Sequence, residues 1–197
     1  VTAATLFTPL SEGRAAQFSD SGYALEYHGG RYASEAELER NYPDGNYVFN
    51  YTAPSTGQVS QMVRLSNPEL GRSGLPAAHV IKLSQNGKTV EPAAIDPTVD
   101  LRVSWSPFTA GSADPLAIMD DLLFVIMGDC DGVRRAHSGR PYENTPYLTY
   151  ADTHFDIRAE QLLAENVYQL SVEHAVLDTS REHGVTAFAT FATTTFL

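Results

Sequence analysis

Between Val99 and Trp105 apolar and polar positions alternate. Val99, Leu101, Val103 and Trp105 fall on one side of an extended chain, with Asp100, Arg102 and Ser104 on the other. A period of two is the mark of a strand with one buried face. The same alternation puts Tyr168, Leu170 and Val172 together, after a turn that begins at Leu162, six residues before the tyrosine. The unbroken apolar run Leu122 to Met127 suits a buried strand. From Ala77 onward the pattern predicts strands at about 79–84, 99–106, 121–128, 153–158, 166–176 and 186–196. Leu116 to Asp121 and Ala159 to Ala164 are each expected to hold a helical turn. No repeat of fixed period runs through the chain, which excludes solenoids and propellers.

The first 70 residues carry a different pattern. Thr2 to Phe7 and Tyr23 to Tyr27 read as strands. Ser34-Glu35-Ala36-Glu37 fits a capping box, opening a helix of about two turns that stops before Pro43. Pro43-Asp44-Gly45 is a turn, with Pro presetting φ and Gly free to take a positive one. Asn46 to Thr52 then alternates, placing Tyr47, Phe49 and Tyr51 on one face, which a strand normally buries. Pro54 to Gly57 is a hairpin loop, and Gln58 to Leu65 returns as the partner strand. The stretch Ser66 to Pro76 holds two prolines and two glycines with few apolar residues, the best boundary in the chain. The expected fold class is all-β: a small β-rich domain with one short helix over 1–70, and a β-sandwich over 71–197.

A buried early Trp and a late strand-entry Tyr preceded by Leu are a β-sandwich signature. On three features, Trp105 in the second strand, Leu162 before Tyr168, and the Thr-rich closing strand Ala187 to Thr195, the segment Pro76 to Leu197 resembles a fibronectin type III domain or a close immunoglobulin-like relative. The resemblance implies a two-sheet sandwich and is silent on activity, because this architecture hosts many roles. The first 70 residues match no single family. Their proline-glycine turn before an aromatic strand is similar to β-rich modules that precede such domains in multi-modular bacterial surface proteins.

Charge narrows the partners. The net charge of −11 argues against nucleic acid or an anionic membrane surface. No apolar stretch approaches the length of a bilayer-spanning helix, so membrane insertion is not expected. The single cysteine, Cys130, excludes an intramolecular disulfide. Two flanking aspartates deny it the electropositive setting that a nucleophilic thiolate needs. The chain starts at Val1 and still reads as strand at Leu197, which points to a piece of a longer secreted or surface protein, extracellular and bacterial.

Motifs for chemistry are thin. None of the six histidines has helical His-x-x-x-His spacing. His174 and His183, with Glu182, flank the last hairpin and are the best pair for a transition metal, although exposed strand-end histidines explain them as well. Asp114, Asp120, Asp121, Asp129 and Asp131 suggest loop calcium, but position twelve from Asp129 is Arg140, so the EF-hand pattern fails. No metal and no cofactor are therefore expected. No Gly-x-Ser-x-Gly elbow and no glycine-rich phosphate cradle is present, so no catalytic residue is assigned. The loop Arg140 to Tyr150 is the candidate binding surface. Tyr142, Tyr147, Tyr150 and Arg140 offer flat aromatic faces and a cation to a protein or polysaccharide. The competing account lays those tyrosines down on the sandwich. The functional expectation is a non-catalytic structural or interaction module. A carbohydrate-binding module using the loop tyrosines is the alternative, and an enzyme fragment with a site at the domain boundary is a further one.

Overall fold

A computed structural model describes residues 1–10, 15–65 and 75–197, and the protein is mostly β, in antiparallel sheets. The boundary expected at 66–76 falls largely outside the described residues. The chain forms two compact units. One gathers Val1–Leu75, Ala113–Asp120 and Val176–Phe191, the other Pro76–Ser112, Asp121–Ala175 and Ala192–Leu197.

The first unit is built on a hairpin. β5 (Gly45–Ala53) and β6 (Gly57–Leu65) pair in unbroken register from Gly45↔Leu65 to Ala53↔Gly57. In β6, Val59, Gln61, Val63 and Leu65 are buried while Ser60, Met62 and Arg64 are exposed, the alternation of a strand with one covered face. β1 (Thr2–Phe7) adds to β5 and β2 (Ala16–Gln17) to β1, giving the order β2-β1-β5-β6. β3 (Ser19–Asp20) and β4 (Leu25–Glu26) make a separate small pair, so the strand expected over Tyr23 to Tyr27 is short. Leu6, Tyr47, Val63 and Leu65 form the core, with Phe18, Tyr27, Tyr42, Ala187, Ala189 and Phe191 packed against it. Helix α1 spans Glu35–Asn41, and the Ser34 hydroxyl accepts from the Glu37 N–H at 3.3 Å. The Glu37 carboxylate returns to the Ala33 N–H at 3.2 Å, one residue earlier than a capping box requires.

The second unit carries two sheets in a sandwich-like arrangement. One has the order β13-β9-β7-β8, from β7 (Ile81–Gln85), β8 (Lys88–Thr89), β9 (Leu101–Trp105) and β13 (His154–Ile157). The other has the order β11-β10-β14-β15, from β10 (Leu122–Asp129), β11 (Arg134–His137), β14 (Tyr168–Glu182) and β15 (Val185–Phe196), and β12 (Leu148–Thr149) also pairs with β10. The central pair β10 and β14 holds register from Leu122↔Ala175 to Asp129↔Tyr168 without a break. Leu101, Val103, Trp105 and Ile157 are buried from one sheet, and Leu123, Val125, Met127, Leu170 and Val172 from the other.

Several local expectations are corrected. β14 runs on to Glu182, beyond the expected end at 176; its residues from Val176, and those of β15 as far as Phe191, belong to the first unit. Leu116 to Asp121 is not helical: the Asp114 carboxylate accepts from the N–H groups of Leu116, Ile118 and Met119, all at 3.0 Å, and so organises a turn instead. Ala159–Gln161 does form a short 3-10 turn. β11 and β12 fall in a stretch expected as loop, because neither has the length for a period of two to register. Among the described residues no helix is long and apolar enough to cross a membrane, which says nothing of strands.

Candidate functional site

The loop that carries the predicted site leaves β11 at Ser138 and Gly139. Gly139 takes φ 85°, and a Cβ there would lie 1.9 Å from the Pro146 carbonyl oxygen. Only glycine lets the far end of the loop close on its own start. Beyond it the Glu143 N–H donates to the Arg140 carbonyl at 3.1 Å, and the two side chains form an ion pair at 3.6 Å. The Arg140 guanidinium lies 5.9 Å from the centre of the Tyr142 ring, within cation–π range. The structure thus brings Arg140 and Tyr142 together, with Tyr142 half-buried.

The other two tyrosines have different fates. Tyr147 is 42% exposed and projects from the Asn144 to Tyr147 crown. Tyr150 is half-buried, its N–H donates to the Asp121 carbonyl at 2.8 Å, and its Cβ packs where a side chain on Gly111 would intrude at 2.5 Å. Leu148 and Thr149 pair with Leu123 and Leu122, which pins this end of the loop to the sheet. At the other end His137 accepts the Gly139 N–H at Nδ1, 2.9 Å away. Burial pushes the His137 pKa down, and the Arg134 and Arg140 charges push it further.

The acidic residues are turned to structural use. Asp129 accepts from the Asp131 and Val133 N–H groups and binds Arg135 at 2.7 Å. Asp121 accepts from both the N–H and the hydroxyl of Ser112. Asp114, besides its three N–H donors, takes the Thr179 hydroxyl at 2.6 Å. Burial alone would raise the Asp114 pKa, but these donors hold it below the usual carboxylate range. Oxygens facing N–H groups are not presented to a cation. Among the described residues no cluster of three or more His, Cys, Asp or Glu is placed to hold a metal.

The histidine pair named from sequence is not the pair the fold makes. His183 sits at the turn between β14 and β15 with φ 49°. His174 is 2% exposed and stacks on His79, ring centres 3.9 Å apart and planes 14° from parallel, with Phe108 at 4.5 Å. This buried triple stack escaped the sequence analysis, yet a signal was there. Extending the inward series Tyr168, Leu170 and Val172 by one step lands on His174, and the series Leu83, Ile81 leads back to His79. Two rings this nearly parallel cannot share a metal, since each lone pair lies in its own ring plane and a metal–nitrogen bond spans only about 2 Å. What the stack offers is sensitivity to protons.

At the start of β14 the Tyr168 hydroxyl accepts from the Leu163 N–H at 2.6 Å, spanning the turn that follows the buried Leu162. The expected burial holds for Trp105, 8% exposed with its indole N–H donating to the Asp152 carbonyl at 3.2 Å. Tyr168 is only half-buried, because its ring lies along the turn it closes. Cys130 is exposed, its sulfur 3.7 Å from the Val167 carbonyl oxygen. Comparison with protein-family models, with curated proteins and with solved structures gives no match to this chain.

Proposed function

We propose that this protein is a non-catalytic structural or interaction module of a longer secreted or surface protein, with a fibronectin type III-like sandwich over 71–197 following a small β-rich domain over 1–70. The observation that carries this is the Tyr168 to Leu163 bond within the strand orders β13-β9-β7-β8 and β11-β10-β14-β15. A tyrosine that ties the start of a late strand to the turn before it is a device of such sandwiches. Around it the polar side chains that could do chemistry are spent on turns and caps, as Asp114, Asp121 and Asp129 are. The partner in this account is another protein, met through the exposed loops of the sandwich.

The second account, a carbohydrate-binding module, is favoured by one feature: the exposed Tyr147 on a loop whose ends are pinned. A flat ring on a fixed mount stacks on a sugar face with little entropy to lose. Retention of the purified chain on insoluble polysaccharides and on a glycan array separates the two. The structural account expects no retention. Binding abolished by Tyr147→Ala would replace it with the carbohydrate account, and turnover in a panel of ester and glycoside substrates would overturn both.

A further inference from the structure

Burying one imidazole in a sandwich is ordinary; burying two in contact is a commitment. His79 is 5% exposed and His174 2%, and their rings stack with that of Phe108 in the second unit. Among the described residues, His174 Nε2 and both ring nitrogens of His79 are buried without a hydrogen-bond partner. As neutral rings they pack like any aromatic pair. As cations they would lie out of reach of water, offset only weakly by the Val172 backbone beside His79, and a second proton would set like charges side by side.

The two rings are anchored unequally. His174 belongs to β14, in the middle of its sheet, opposite Leu123 of β10. His79 lies on Pro76 to Val80, a non-strand segment that leads into β7. Among the described residues, that segment is tied by the Thr193 hydroxyl, which donates to the Pro76 carbonyl, by the Val80 N–H, which donates to the Ser106 hydroxyl at 3.1 Å, and by the Ser106 N–H, which donates to the Val80 carbonyl at 3.1 Å. We propose that the His79–His174 stack is an acid-operated latch, in which protonation expels His79 and frees Pro76 to Val80 from the sandwich while the sheets remain paired.

Among the described residues, the charged groups near the latch are exposed or engaged with other partners. On β14, Glu173 accepts from the Thr194 hydroxyl; ahead of β10, Asp121 accepts from Ser112; on β9, Arg102 is bidentate to Asp156 of β13; on β7, Lys82 is exposed; the Pro107 to Phe108 loop carries no charge. Burial pushes the His174 pKa down to about 4, and the neighbouring His79 adds to the effect. Burial lowers His79 too, against a smaller opposing pull from the Val172 backbone. Both shifts are downward, so the sign is fixed. The released state takes up protons as pH falls through about 6.5 while the latched state does not, so latching weakens as pH falls below about 6.5.

Amide hydrogen exchange, corrected for the intrinsic pH dependence, tests this on the intact chain. Protection of the 77–82 amides should fall about a hundredfold between pH 7 and pH 4, while the β10 and β14 amides keep theirs. His79→Phe keeps a ring in the stack without its titratable nitrogens and should lessen that loss. Should that variant fail to fold, His174→Phe makes the same comparison, and an NMR titration of the wild-type chain should find the His79 and His174 imidazoles titrating below 6.5 together with the loss of protection. Equal acid sensitivity in the variant and the wild type would overturn the latch. So would concerted loss of protection across the second unit, or full protection of 77–82 at pH 4.

Discussion

Replacing Tyr168 with Phe removes one hydroxyl and nothing else, which makes it the sharpest probe of the corner. The bond lost is the 2.6 Å contact from the Leu163 N–H. Leu163 is 46% exposed, so water can take over the freed N–H and the penalty of a buried orphan does not apply. The cost should be the net value of one hydrogen bond, about 1 kcal/mol. Leu162, one residue away and 7% exposed, contributes differently. Leu162→Ala opens a cavity in packed surroundings and should cost ~2–5 kcal/mol. Urea unfolding followed by fluorescence suits both, because Trp105 is the only tryptophan and is buried in the same unit. With a urea dependence of ~1–3 kcal/mol per molar, Tyr168→Phe should lower the midpoint by roughly 0.3–1 M. An unchanged midpoint would show that the hydroxyl contributes nothing to the turn. A loss as large as that of Leu162→Ala would show that the corner acts by packing, and the hydrogen-bond argument would fail.

Gln61 is fully buried in the first unit, its amide oxygen accepting from the Tyr51 hydroxyl at 2.7 Å and its nitrogen donating to Ser180 at 3.1 Å. Gln61→Leu should cost ~1–3 kcal/mol by orphaning that hydroxyl, and Tyr51→Phe added to it should recover part of the loss in a double-mutant cycle. Asp114, held below the usual carboxylate range, stabilises the native state above its unfolded pKa near 4, and that contribution is lost as pH falls through its folded value. Asp114→Asn should therefore lower stability at pH 7 by roughly 2 kcal/mol and flatten the acid limb of a stability-against-pH curve measured below about pH 4. Gly139→Ala meets both the positive φ and the Pro146 carbonyl, and should cost at least ~2 kcal/mol in thermal unfolding or displace the loop, visible as changed amide shifts from Arg140 to Tyr150.

Alternation made most of the strands legible. Where a strand is long enough for several inward positions, as in β6 or β9, the period is plain and the fold obeys it. The misses have physical causes. β8, β11 and β12 are too short to show a period, and partners elsewhere in the sheet determine them. The helical turn expected over Leu116 to Asp121 does not form, because the Asp114 side chain offers the N–H groups a better acceptor than a helix would. The sequence marks Arg140 to Tyr150 as the candidate surface but not how each of its residues is placed. Gly111 and Asp121 decide that Tyr150 is an anchor, and neither is near it in the chain. The His79–His174 stack joins positions far apart in sequence, and the alternation says only that each points inward.

The first unit takes in Val176–Phe191, and Ala187, Ala189 and Phe191 lie against a core whose other members end at Leu65. During synthesis this face is made early and completed late. At ~5–20 residues per second, the ribosome needs on the order of ten seconds to travel from β6 to β15. For that interval the nascent chain carries Leu6, Tyr47, Val63 and Leu65 without their final cover. Vectorial folding of this protein therefore cannot proceed in chain order. The part begun first waits for Val176–Phe191, near the end of the chain, and a chaperone that shields the β5–β6 hairpin has a defined time to act.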